Sequence, residues 1–163
     1  MKFLAIDFET ANTNRDSACA VAFVIVEDHK IIHKAEHLIR PPTKWFKFTD
    51  VHGITWEDVK HEMTFEEQWD IYEKYLDGIE FAAAHNAPFD RSVLQTCCKS
   101  YNIKVPEIEF RCTMQLSRDR WGIHPTTLAD VCKEFKIPLK HHNAMSDALA
   151  CAKIMIKAMK EKR

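Results

Sequence analysis

The chain has 163 residues, 46% apolar and 29% charged, with a net charge of −1. That size and mixture suggest one globular domain, 1–163, with a real core. They exclude a protein that draws in a polyanion by its overall field, so any contact with nucleic acid must come from a local patch or a metal ion.

Phe3 to Ile6 is an apolar run that reads as a buried strand. Asp7 and Glu9 follow it. Residues two apart on a strand share a face, so the two acids stand side by side. Such a pair repels itself and loses hydration, which folding alone does not require. A divalent cation would require it, because carboxylate oxygens suit magnesium or manganese. Ala11 to Ser17 reads as a loop and Ala18 to Val26 as a second buried strand. Residues 27–30 form a turn, and Ile31 to Ile39 is a third strand completing a hairpin. Arg40-Pro41-Pro42 ends it. Residues 43–55 have no clean period and read as a loop. Within it Lys44-Trp45-Phe46-Lys47-Phe48 interleaves aromatics with lysines. That pattern fits either a platform for single-stranded nucleic acid or a loop pinned to the core by its rings.

Thr64 and Glu67 make a capping box, and Phe65, Trp69, Tyr72 and Leu76 recur at helical spacing up to Gly78. Glu80 to Ala84 is a short strand. His85-Asn86-Ala87 is a turn, after which Pro88 opens a helix with Phe89, Val93, Cys97 and Tyr101 on one face. Val105 to Arg111 holds another strand. Thr113 caps a short helix to about Arg120, and Leu128 to Phe135 marks one more. Asn143 starts the last helix, with Met145, Leu149, Ala152, Met155 and Met159 on its buried side, and Lys153 to Arg163 reads as its solvated side. Strands alternating with helices after an opening hairpin define an α/β sheet covered on both faces. No apolar run is long enough to cross a membrane and no leader pattern stands at the start, so a cytoplasmic protein is expected. The six cysteines form no C-x-x-C pair and read as reduced thiols.

Two more acids sit at helix starts, Asp90 in HNAPFD (85–90) and Asp147 in HNAMSD (142–147). Singly, each is an ordinary first-turn acid favoured by the helix dipole. His142 precedes Asp147 by five residues, so it cannot share a helical face with it and belongs on the loop before the helix. Together DFET (7–10), HNAPFD and HNAMSD, in this order and at this wide spacing, resemble the three exonuclease motifs of the DnaQ-like DEDDh 3′–5′ exonucleases. That group includes the proofreading epsilon subunit of bacterial DNA polymerase III. HGIT (52–55) is also similar to that group, and the likeness covers nearly the whole chain.

The resemblance implies an RNase H-like fold: a five-stranded mixed sheet, second strand antiparallel, flanked by helices on both faces. It implies that Asp7, Glu9, Asp90 and Asp147 hold two Mg²⁺ or Mn²⁺ ions and that His142 is the general base. It implies that the main chain of Phe8, Thr10 and Ala11, with the side chains of Val51 and His52, holds the terminal nucleotide. One departure is visible: Ala11-Asn12 stands where Thr-Gly is frequent. The expected substrate is the 3′ end of single-stranded DNA, with RNA as the alternative. A non-catalytic nucleic-acid-binding subunit is the rival, though no acid or histidine of the motifs is missing. A polymerase partner is possible but not indicated, and a free-standing enzyme away from membranes is expected.

Overall fold

A computed structural model describes residues 1–161. The last two positions of the charged tail, Lys162 and Arg163, lie outside the described residues. Five strands form one sheet: β1 Lys2–Thr10, β2 Ala18–Glu27, β3 Lys30–Leu38, β4 Phe81–Ala84 and β5 Phe110–Cys112. Their order is β3-β2-β1-β4-β5. β2 is antiparallel to β1 and β3, whereas β4 is parallel to both β1 and β5. The helices are α1 Thr49–His52, α2 Trp56–Val59, α3 Trp69–Leu76, α4 Ala87–Ser100, α5 Thr113–Trp121, α6 Leu128–Phe135 and α7 Ala144–Lys160. No helix among the described residues is long and apolar enough to cross a membrane.

The period-two rule along β1 builds both layers. Leu4, Ile6 and Phe8 face one way and pack with Tyr72 of α3 and Val93, Leu94 and Cys97 of α4. Phe3 and Ala5 face the other way, under Ala144, Ala148, Cys151 and Ala152 of α7. That second face is lined by Ala20, Ala22 and Ala83. Small side chains on both surfaces let α7 lie close against the sheet in a close-packed interior. Asp7 and Glu9 continue the Phe3–Ala5 face, so the strand aims them at the start of α7.

The parallel neighbour stops short. β4 pairs with β1 only from Phe3↔Phe81 to Ala5↔Ala83. Beyond that point β1 remains paired to β2 but is open on the β4 side. The chain turns there through Asn86, in the left-handed region at φ 68°, and α4 starts at Ala87.

Several element bounds differ from those expected. The acids stand within β1 rather than beyond its end, because β2 extends the ladder to Thr10. The fifth strand, expected within 105–111, is three residues long and lies at the end of that stretch, reaching Cys112. β4 offers it only Ala82 to Ala84 as partners, and Pro106 brings no N–H to a ladder. The 43–55 stretch is not all loop, since it contains α1, ended by Gly53 at φ 78°. The Thr64–Glu67 box forms both of its hydrogen bonds. It closes a turn, however, and regular helix begins only at Trp69. The buried Gln68 side chain is held there by the carbonyls of Leu38 and Met63.

Candidate active site

Asp7, Glu9 and Asp147 each place a carboxylate oxygen within 4.8 Å of the others. Asp7 and Glu9 come from the open end of β1. Asp147 comes from the first turn of α7, whose start is fixed by Asn143: its side-chain oxygen accepts the Ser146 N–H at 3.0 Å. Asp90, from the first turn of α4, closes the site from behind. Its Oδ1 accepts the Phe8 N–H at 2.9 Å, satisfying a β1 donor that β4 is too short to reach.

The electrostatics of the cluster are unfavourable as it stands. Loss of hydration, then the nearby Asp90, Glu9 and Asp147 carboxylates, raise the Asp7 carboxyl well above its ordinary range. Burial, reinforced by Asp147 and Asp90, pushes Glu9 up to about 8. Burial likewise pushes Asp90 up to about 8, against the pull of the Phe8 N–H. Asp147 is raised by burial, while His141 pulls it back down. Asp7 Oδ2 and Asp147 Oδ1 are buried with no hydrogen-bond partner. An orphaned buried acceptor costs about 1–3 kcal/mol, more if charged. Crowded, partnerless oxygen donors of this kind fit a hard divalent cation.

Asp7, Glu9 and Asp147 open into a cleft of about 440 Å³ that Phe8, Thr10, Val51, His52, His141 and His142 also line, whereas Asp90 is buried behind it and lines none of it. Ala11 does not line it. It is fully buried, its N–H donates to the Ser17 carbonyl, and its carbonyl accepts from Lys47 and Phe48. Ala11 therefore serves as an anchor for the rim rather than as a contact surface. His52 Nε2 donates to the Thr10 carbonyl at 2.9 Å, leaving Nδ1 to accept the Ile54 N–H at 3.0 Å. With both nitrogens engaged, His52 offers the cleft its ring and not a free N–H. Asn12, at the departure from the Thr-Gly pattern, is wholly buried and ties the same rim by donating to the Trp45 carbonyl at 3.0 Å.

The two loop histidines share Asp147. His141 Nδ1 lies 3.1 Å from Asp147 Oδ2, and the His142 main-chain N–H donates to that same oxygen at 3.1 Å. The rings stack, centroids 3.7 Å apart. His142, at φ 62°, is left-handed. Sequence spacing gave no reason to bring His141 to the site, since the motif begins one residue later. Asn86, Phe89, Met114, Thr127 and Leu128 also line the cleft, and of these only Asn86 and Phe89 lay inside a recognised motif. His85 is structural support. Its Nε2 donates to the Thr126 carbonyl and its Nδ1 meets the Thr113 hydroxyl, which ties β4 to α5. A larger groove of about 720 Å³ runs between α3 and residues 104–108, but none of the clustered acids lines it.

An RNase H-like sheet with carboxylates gathered at the open end of its central strand defines a nuclease of the DEDDh type. Known proteins agree. Residues 4–155 match the family model described as exonuclease (RNase T type). The chain is 32% identical to Exodeoxyribonuclease 10 of Escherichia coli K12, spanning 94% of this chain and 67% of that protein. It is 27% identical to the 3′-5′ exonuclease DinG of Bacillus subtilis, over 99% of this chain but 18% of that protein. Exonuclease X, solved in complex with 5′ overhanging duplex DNA, superposes with a TM-score of 0.78 at 27% identity, covering 96% of this chain and 90% of that one. The nuclease domain of 3′hExo, a DEDDh family member bound to rAMP, shares the fold with a TM-score of 0.84 at 16% identity, covering 98% and 92%. The chain belongs to the exonuclease family and is a 3′–5′ exonuclease, a phosphodiester hydrolase acting on nucleic acid.

Proposed function

We propose that this enzyme removes nucleoside 5′-monophosphates one at a time from the 3′ end of single-stranded DNA, using two divalent ions within the one domain 1–163. The observation that carries the metal reading is the trio of acids within 4.8 Å together with two orphaned carboxylate oxygens. The names of Exodeoxyribonuclease 10 and of the Exonuclease X complex support DNA as the substrate.

Asp7, Glu9, Asp90 and Asp147 would hold the ions, magnesium or manganese. When bound, such ions lower the pKa of water and stabilise charge on the leaving oxygen. His142 would act as general base: among the described residues its ring nitrogens have no hydrogen-bond partner, so either can take the proton of the attacking water. Burial and the neighbouring His141 hold its pKa below the ordinary histidine value, in keeping with a neutral acceptor at pH 7. In-line attack on phosphorus expels the 3′ oxygen of the next nucleotide, so the phosphate leaves with the released unit. Phe8, Thr10, Val51 and the His52 ring would enclose the terminal nucleotide.

The test is digestion of 5′-labelled single-stranded DNA and RNA of matched sequence with magnesium, manganese or EDTA. A ladder shortening from the 3′ end, faster on DNA and absent in EDTA, is expected. Internal cuts, dinucleotide release, or equal speed on a 3′-phosphorylated strand would defeat the reading. Faster RNA shortening would move the substrate to RNA.

A further inference from the structure

Trp45 stands on a fixed loop with its ring in solvent. Main-chain bonds do the fixing: the Lys47 and Phe48 N–H groups donate to the Ala11 carbonyl at 2.7 and 3.1 Å, and the Trp45 carbonyl accepts from Asn12. The loop is thus tied to the residues that follow Thr10, at the lip of the catalytic cleft. Its tryptophan does not do the pinning. The side chain is 54% exposed and joins none of the core clusters. A large apolar ring is usually mostly buried, so one held out on an anchored loop at the lip of the cleft is open to a ligand there.

The surroundings say which ligand. Phe48 and Val51 line the cleft itself, and Val51 is also solvent-exposed. Trp45, Phe48 and Val51 thus belong to one short segment, 45–51, whose later part lines the cleft. Lys44 and Lys47 flank it, both exposed, and neither is in an ion pair among the described residues. Lys44 Nζ stands 5.7 Å from the centroid of the Trp56 ring and Lys47 Nζ 5.9 Å from that of Phe48. Aromatic faces interleaved with free cations match a single strand, whose bases stack while its phosphates meet ammonium groups.

We infer that Trp45, flanked by Lys44 and Lys47, is a stacking platform for single-stranded DNA on the 5′ side of the nucleotide held in the cleft. This rests on the exonuclease reading for its direction. Any base offers a face to the ring, so the platform grips without reading sequence. It also gives a strand long enough to reach Trp45 an advantage over a dinucleotide, in a protein whose net charge of −1 provides no general attraction.

The experiment compares wild type, Trp45→Ala, Trp45→Phe and the Lys44→Ala/Lys47→Ala double variant. Binding is read in EDTA by anisotropy of a fluorescein-labelled twelve-nucleotide oligo(dT). Chemistry is read separately as manganese-dependent release of p-nitrophenol from the p-nitrophenyl ester of thymidine 5′-monophosphate, a substrate too short to reach Trp45. Trp45→Ala should weaken oligonucleotide binding about 5- to 100-fold, the loss of one stacked base. Trp45→Phe should restore most of it, and the double lysine variant should flatten the salt dependence. Ester turnover should stay within about twofold in each, because only the terminal unit is engaged. Unchanged oligonucleotide binding by Trp45→Ala overturns the platform, as does a parallel loss on the ester, or a wild type that binds no oligonucleotide. If wild type binds the strand through Trp45 yet hydrolyses neither substrate, the exonuclease reading fails and the platform stands.

Discussion

Phe3 and Ala5 share one face of β1 with Asp7 and Glu9; α7 covers the first pair and brings Asp147 of its first turn to the second. The first pair sits where β4 continues the sheet, among alanines, with Phe3 stacked on Phe81 at 5.0 Å. The second pair sits where β4 has ended, among other carboxylates. One half of a single strand face stabilises the fold, and the other half stores repulsion that a bound cation would relieve. The difference arises from the length of β4 and from the start points of α4 and α7, not from any change in β1 itself.

The sharpest way to test that contrast is to remove one side chain from each half. Asp7→Ala should lower turnover by several orders of magnitude, yet leave the metal-free protein as stable as wild type or more so, since it relieves like-charge crowding. Magnesium should raise the melting temperature of wild type and do less for this variant. Near-normal turnover of Asp7→Ala at saturating metal would break the assignment.

On the histidine side of the same site, His142→Ala should lose about 10²–10⁴-fold in kcat, the usual value of a positioned base, with little change in affinity for DNA. His141→Ala should lose less, about tenfold or under, because the residue acts by holding Asp147 and the His142 ring and transfers no proton itself. Single-turnover rates of the two variants decide it. A larger loss for His141→Ala would exchange their roles.

Phe3→Ala should do the reverse of Asp7→Ala. Emptying a fully buried stacked position costs about 3–5 kcal/mol, read by urea unfolding, while kcat per folded molecule stays near wild type.

The smallest effect is a pH slope. Glu9 and Asp90, raised to about 8 in the folded chain, keep protons that the unfolded chain has already lost above pH 5. The folded state binds more protons, so stability falls as pH rises toward 8. The half-buried His52 and His85, whose values are lowered by burial, oppose this chiefly below about pH 6.5, where the unfolded imidazole still gains protons. The metal-free melting temperature should therefore fall by several degrees between about pH 6.5 and 8, and magnesium should flatten the slope. A melting temperature independent of pH without metal would mean that the carboxylates are not crowded in solution.

Local sequence fixed what depends on neighbours in the chain. The apolar run of β1, the hairpin that follows, the Pro88 and Asn143 helix starts and the faces of α4 and α7 were all legible, because side-chain period and capping act over a few residues. The motif acids and His142 were legible as a set through resemblance, and their element positions followed. Tertiary structure alone decided the rest. It limited β5 to the partners β4 offers, buried Ala11 away from the cleft and engaged both nitrogens of His52. It brought His141 onto Asp147, turned the Asp90 carboxylate to the Phe8 N–H, and left the Trp45 ring in solvent while its main chain is bound to Ala11 and Asn12. Each of these is a contact between residues far apart in the chain, set by where strands stop and how closely alanine-lined surfaces pack. No local pattern encodes such distances.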